Sequence, residues 1–377
     1  MPVTRGSITT LFEETTIGSL RVPNRLVRSA TWEGLAAPDG TVTPALIDMM
    51  TALARGGVGL IISGHAFVSP EGQASPGKLG VHVDAMLPGL TTMARAVHTA
   101  GGRIVLQLAH AGIEALPHLT GLPPIGPSPM KNANGDDAHG MSLDEIRAVV
   151  RAFAAAAARA QQAGFDGVQI HAAHGYLLSQ FLSGYFNKRS DDYGGPLDQR
   201  ARIVVETVTA VRAAVGHDYP VLIKINAEDF VEGGLTRNDM CALARLLERA
   251  GISAIELSGG TRYSGNNSPV RRGKSQSVYY REAAGQCRQH VRVPLLLVGG
   301  IRDVATAGEL VATGVTDFVA LCRPLIREPD LVNRWHAGDC APAECISCNR
   351  CFRSAHAGEG LYCVTARKAQ RPPRPCG

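Results

Sequence analysis

No stretch of this 377-residue chain reaches the roughly 18 consecutive apolar residues of a transmembrane helix, so none is expected. The segment Met1–Thr10 lacks the apolar core of a secretion signal, which makes the cytoplasm the expected location. Lysines and arginines form no run and the net charge is only +5, so neither nucleic acid nor a membrane is an expected partner. A basic pocket for a phosphate-bearing ligand accounts for that excess equally well. No Gly-x-Gly-x-x-Gly stands between a strand-like and a helix-like segment, which excludes a Rossmann nicotinamide domain. With the cytoplasm as the expected location, nine cysteines read as free thiols or metal ligands, not as a disulfide framework.

What is present is a repeating order. Short β-branched runs lie at 25–29, 58–63, 103–108, 167–171, 221–226, 254–258, 295–299 and 318–322, each followed by a helix-like stretch. Near-continuous apolar strands alternating with helices predict a parallel sheet covered on its faces. Eight such units in about 300 residues predict an α/β fold, a (β/α)8 TIM barrel, over residues 1–338. A Cys-rich C-terminal segment, 339–377, follows. Ser142-Leu-Asp-Glu145 predicts a capping box opening an Ala-rich helix that runs to about Ala163, and Thr236-Arg-Asn-Asp239 opens another helix that stops at Gly251. Two polar excursions, about 120–141 and 264–275, follow the third and sixth strands and are expected to rim the active site.

The strand ends carry the chemistry. His171-Ala-Ala-His174-Gly-Tyr176 puts two imidazoles and a phenol at the end of the fourth strand, the catalytic end of such a barrel. Capping histidines or half of a metal site are the alternative readings, although no Glu follows in a zinc-protease pattern. Gln107 and His110 end the third strand, and Lys224 sits in the fifth. A cation, an amide and an imidazole pair around one cavity suit a flat, polar, electron-accepting ring. Gly299-Gly300 and Arg323 follow strands seven and eight, the usual phosphate site of this fold.

These residues resemble the Old Yellow Enzyme family of FMN-dependent ene-reductases, particularly its bacterial branches. The resemblance rests on Asn24-Arg25, Gln107-Leu-Ala-His-Ala-Gly112, His171-Ala-Ala-His-Gly-Tyr176, Asn187-Lys-Arg-Ser-Asp-Asp-Tyr-Gly-Gly195, Arg200, Gly299-Gly300 and Arg323-Pro324, and spans about 8–335. It implies FMN contacts at Ala30, Thr31, Trp32, Gly64, Gln107, Lys224, Gly299, Gly300, Cys322 and Arg323. Lys224 stands where an Arg is more frequent, at the flavin N1/O2 edge. His171 and His174 match the pair that binds a substrate carbonyl oxygen, and Tyr176 matches a proton donor. The implied reaction runs from NAD(P)H through FMN to the β-carbon of an activated alkene, such as an enone, enal, nitroalkene or enoyl ester. Two departures stand out: Trp32 replaces a smaller residue beside the flavin, and Ile113 stands where an Arg is common.

Cys345, Cys348, Cys351 and Cys363 give C-x2-C-x2-C-x11-C, a set of four thiols able to reach one metal or cluster. The pattern looks like the [4Fe-4S] segment of the dienoyl-CoA reductase and trimethylamine dehydrogenase branch, less one residue between the second and third cysteines. A cluster, zinc and no metal all stay open; Cys340 and Cys376 lie outside the pattern. The short stretch after Cys363 leads to the expectation that no second flavin and nucleotide domain is fused. A cluster would then need an external electron partner and would favour an alternative reading, an amine dehydrogenase or demethylase passing electrons through the tail. The sequence leaves a homo-oligomer open.

Overall fold

The structure is a computed structural model that describes residues 8–273 and 276–369; expectations falling on Lys274, Ser275 and Cys376 lie outside those residues. The eight apolar runs become β1 (Leu26–Arg28), β2 (Leu60–Ile62), β3 (Ile104–Ala109), β4 (Gly167–Ala172), β5 (Val221–Asn226), β6 (Ala254–Ser258), β7 (Leu295–Val298) and β8 (Phe318–Leu321). Each pairs in parallel with its sequence neighbour, and β8 pairs with β1, which closes the ring. This is the (β/α)8 barrel that the alternation predicted.

Side chains alternate across each strand, so a barrel needs two apolar faces. The outward set, including Ile61, Leu106, Ile170, Ile223, Ile255 and Leu297, packs against the helices. The inward set at the lower ends, Val27, Leu60, Val105, Leu222, Ala254, Leu296 and Phe318, fills the interior. An antiparallel hairpin, Thr15–Ile17 with Leu20–Val22, closes it from below through Ile17, Leu20 and Val22. Two residues further up, the same inward faces switch to Gln107, Gln169, Lys224 and Glu256. That change from apolar to polar marks the floor of the site.

The covering helices are α1 (Pro44–Arg55), α2 (Leu87–Thr99), α3 (Leu143–Gln162), α4 (Arg202–Val215), α5 (Arg237–Arg249), α6 (Arg281–Arg288), α7 (Val304–Ala312) and α8 (Leu331–His336). Their starts are legible chemistry. Ser142 accepts from Glu145 N while the Glu145 side chain returns to the Ser142 amide, and Thr236 with Asp239 repeats the box. None of the described helices is long and apolar enough to cross a membrane.

The Cys-rich segment folds as α9 (Arg350–His356) and α10 (Val364–Ala369) and packs onto the barrel mouth. Cys351, Ala355 and Leu361 form a small core with Trp32. The Leu361 amide donates to Glu33 O at 2.8 Å, and Asn349, left-handed at φ 59°, donates from Nδ2 to Val270 O at 2.9 Å.

Candidate functional site

A cavity of about 300 Å³ opens at the C-terminal ends of the strands. Its wall includes Ala30, Thr31, Trp32, Gln107, His171, His174, Tyr176, Lys224, Gly299, Gly300, Cys322 and Arg323, which come from six different strand ends. Gly64 is the exception among the cofactor expectations, because it does not line the cavity. Its amide donates to Glu33 Oε1 at 2.8 Å, and a Cβ there would meet Glu33 Oε2 at 2.0 Å. Glu33 is in turn held by Arg28 at 2.8 Å, so Gly64 belongs to a buried brace behind the wall.

The floor is a closed polar circuit. Lys224 Nζ donates to Ser29 Oγ at 2.8 Å and to Glu256 Oε1 at 3.0 Å. Ser29 Oγ donates to Glu256 Oε1 at 2.6 Å, Gln169 Nε2 to Glu256 Oε2 at 2.8 Å, and Gln107 Nε2 to Gln169 Oε1 at 2.7 Å. Lys224 and Glu256 sit in register on neighbouring strands and are almost fully buried, so each neutralises the other.

One wall carries the imidazoles. His174 takes φ 63°, a left-handed conformation that turns the chain sharply after β4. It is locked there by its amide, which donates to Asn226 Oδ1 at 3.0 Å, and by Nε2, which lies 2.7 Å from Ser258 Oγ. The rings of His171 and His174 meet edge-on at 5.3 Å, and Tyr176 stands 5.1 Å from His171. Burial, reinforced by Lys224, holds His174 well below the usual imidazole range. Burial, with His174, His65, Lys224 and Lys78 added, does the same for His171. Both are therefore neutral hydrogen-bond donors at pH 7, not imidazolium ions.

The opposite end is shaped by glycine and arginine. Gly299 and Gly300 adopt φ 126° and 74°, and a Cβ on Gly300 would lie 2.5 Å from the Tyr279 ring. Only glycine lets the strand-end backbone pass that ring and face the cavity. Arg323 Nη1 donates to Arg271 O and Asn349 Oδ1, both at 2.6 Å. Trp32 walls the cavity, donates from Nε1 to Pro76 O at 3.2 Å and meets His356 at 4.7 Å, which ties the wall to the Cys-rich segment.

Several members of this site were not singled out in the sequence. Glu256 had a readable signal, a carboxylate inside the apolar run Ala254-Ile-Glu-Leu-Ser258. His65 follows the second strand as His171 closes the fourth, and its Nε2 lies 3.2 Å from the Tyr176 hydroxyl. Lys78 had no local signal at all.

Cys345, Cys348, Cys351 and Cys363 line a second cavity of about 360 Å³, which shares Arg323 with the first. Among the described residues, no three His, Cys, Asp or Glu side chains converge closely enough to hold a single metal ion. Burial, joined by Cys322 and Cys345, pushes the Cys351 thiol up to about 12.

With this geometry in place, comparison with known proteins is informative. The model of the NADH:flavin oxidoreductase / NADH oxidase family matches residues 10–339. The chain belongs to this family. It is 38% identical over 345 residues to an NADH oxidase of Thermoanaerobacter brockii, covering 90% of this chain and 52% of that protein. The chain thus spans about half of that relative's length. The old yellow enzyme homologue of Zymomonas mobilis superposes with a TM-score of 0.79 at 25% identity, over 97% of this chain and 100% of that one. A 2-naphthoyl-CoA reductase in complex with 2-naphthoyl-CoA reaches a TM-score of 0.89 at 27% identity, over 94% of this chain and 56% of that one. Family membership bears out the Old Yellow Enzyme resemblance; the narrower likeness to the dienoyl-CoA reductase branch stays a resemblance.

Proposed function

We propose that this chain is an FMN-dependent NAD(P)H oxidoreductase that reduces alkenes conjugated to a carbonyl or similar electron-withdrawing group. The observation that carries this reading is one cavity with neutral His171 and His174 and the Tyr176 phenol along one wall, and Lys224 and Gln107 beneath. Two features fit FMN. Lys224 Nζ uses two of its three protons in the floor circuit, which leaves one for a ring edge. Gly299, Gly300 and Arg323 bring bare backbone and a fixed guanidinium to the far end, suited to a phosphate. When bound, FMN supplies the hydride that it has taken from NAD(P)H.

The chain's own residues then do the rest. His171 and His174 donate to the substrate oxygen on which negative charge develops, and neutral imidazoles release that oxygen afterwards more readily than a cation would. Ser258 and Asn226 hold His174 so that this geometry is preformed. Tyr176 gives its proton to the α-carbon. Trp32 and the docked segment around Phe352 narrow the mouth and limit water.

The test is a pair of half-reactions on purified holoprotein. His171→Ala combined with His174→Ala should slow enone reduction by about a hundredfold or more while FMN stays bound. Unchanged turnover would sink the donor role, and failure to bind FMN at all on reconstitution would sink the whole reading.

The cysteine cavity is read as a cluster site in preference to zinc. Cys345, Cys348, Cys351 and Cys363 spread around a cavity leave room for a larger inorganic core, which would supply single electrons beside Arg323. Counting iron, sulfide and zinc on anaerobically purified protein decides this; zinc alone, or no metal, refutes it.

A further inference from the structure

The phenol of Tyr176 is poorly suited to lose a proton on its own account. Burial, and after it the Glu114 carboxylate, hold it above the ordinary tyrosine range, with Arg262 opposing. A phenol in that position serves as a rapid donor only if something stabilises the phenolate it leaves behind.

Two groups behind it are placed to do so. His65 lines the cavity at the end of β2, with Nε2 3.2 Å from the Tyr176 oxygen and the rings tilted at 5.3 Å. Its Nδ1 is buried and has no partner among the described residues. Lys78 is 0% exposed, makes no hydrogen bond through Nζ among the described residues, and stands 5.3 Å from the centroid of the Tyr176 ring. Its backbone is fixed on both sides. The Ala36 amide donates to Gly77 O at 3.0 Å, and the Phe67 amide donates to Leu79 O at 2.9 Å.

A fully buried ammonium ordinarily has a carboxylate against it. Here burial alone acts on Lys78, with no carboxylate opposing it, and the acidic groups around the neighbouring wall residues are engaged elsewhere. Glu114, which acts on Tyr176, binds Arg262 at 3.1 Å and the Tyr263 hydroxyl at 2.9 Å. Glu71 lies 3.8 Å from His110 Nε2. The remaining charged or titratable groups that act on His65 are Lys78, His174 and Lys224, and none of them is acidic. His171 stacks on His65 at 6.1 Å.

We propose that His65 and Lys78 are positioning residues that hold Tyr176 as a proton donor, His65 by orienting its hydroxyl and Lys78 by stabilising its phenolate. This rests on the reading of Tyr176 as the group that protonates the substrate. In that step the Tyr176 O–H bond breaks and a C–H bond forms at the α-carbon. The O–H electron pair stays on the phenolate oxygen, which accepts from His65 Nε2–H under the field of the Lys78 ammonium. The phenolate takes a proton back from solvent as product leaves.

Burial lowers Lys78 to about 7, so its charge is present below that pH and lost above it. The step that consumes the alkene should therefore slow as pH rises through about 7, while flavin reduction by NAD(P)H shows no such inflection. Lys78→Met, which keeps the stem and removes the charge, should slow alkene reduction about tenfold at pH 6.5 and abolish the inflection. His65→Gln should lower kcat without a matching change in KM. An independent readout needs no alkene: a fluorinated tyrosine at position 176, followed by its ultraviolet titration, should become about tenfold less acidic in Lys78→Met. Unchanged acidity together with a retained inflection would overturn the proposal. If the wild type reduces no activated alkene but the fluorotyrosine still responds to Lys78, the ene-reductase reading fails and the pairing stands.

Discussion

Among the described residues two lysines are buried in this barrel, and their surroundings are opposites. Lys224, 2% exposed, is bonded to Ser29 and Glu256 in a circuit that runs on through Gln169 to Gln107. Lys78, 0% exposed, has no carboxylate, hydroxyl or carbonyl on its ammonium among the described residues. The same division extends to their neighbours, because His65 Nδ1 and His171 Nδ1 on the Lys78 side are likewise buried without partners among the described residues. The floor of the cavity is a satisfied scaffold that fixes distances. The flank holds unspent electrostatic capacity next to the Tyr176 phenol, and buried groups of that kind gather where chemistry is done.

The sharpest way to break this contrast is Glu256→Leu, which leaves Lys224 buried and unpaired. It should cost about 3–5 kcal/mol in urea unfolding, and adding Lys224→Met should restore most of the loss. A single variant as stable as wild type would mean that the circuit contributes nothing.

Lys78→Met should act with the opposite sign. The folded lysine titrates at about 7, below the ordinary lysine range, so between those two pH values the unfolded chain binds more protons and stability rises with pH. The penalty is complete below pH 7 and gone by about pH 10.5. Removing the amine should therefore stabilise the protein by on the order of 3 kcal/mol at pH 7, with the gain shrinking toward pH 10.5. A destabilised variant would show that Lys78 has a partner in solution.

Acid should strike the flank next. His65, His171 and His174 are all held well below the usual imidazole range, so beneath about pH 6.5 the unfolded chain takes up protons that the folded one refuses. Each should cost about 1 kcal/mol by pH 5.5, and His65→Gln should remove one such share from the stability–pH curve. The smallest effect belongs to the floor: Ser29→Ala should cost about 1 kcal/mol, because Lys224 and Glu256 still hold one another.

Much of the site was legible because strand ends are written locally. His171, His174 and Tyr176 follow a run of apolar residues, and the turn at His174 needs only its own neighbours to place all three on one wall. The same holds for Gly299 and Gly300 after β7. Gly64, expected from the resemblance to contact the cofactor, stands behind the wall, and the Glu33 carboxylate that occupies its amide is not visible in the sequence. The docking of α9 against Trp32 was also hidden. The Cys-rich segment shows no strand–helix period, and its fit to the mouth depends on one indole and a few apolar residues far apart in the chain.

By itself the sequence determined the eight βα units, the helix caps and the identity of the groups at each strand end. Those depend on periodicity and on contacts within a few residues. Only the tertiary structure decided which groups share a neighbourhood. Ring closure brings Ser29 to Glu256 across 227 positions and His65 to Tyr176 across 111, and it drives Lys78 beneath the phenol. No local pattern encodes such meetings, because they follow from the order and stagger of strands around the barrel. The physical reason is that burial is a property of the closed ring, and burial sets the charge that each of these groups carries.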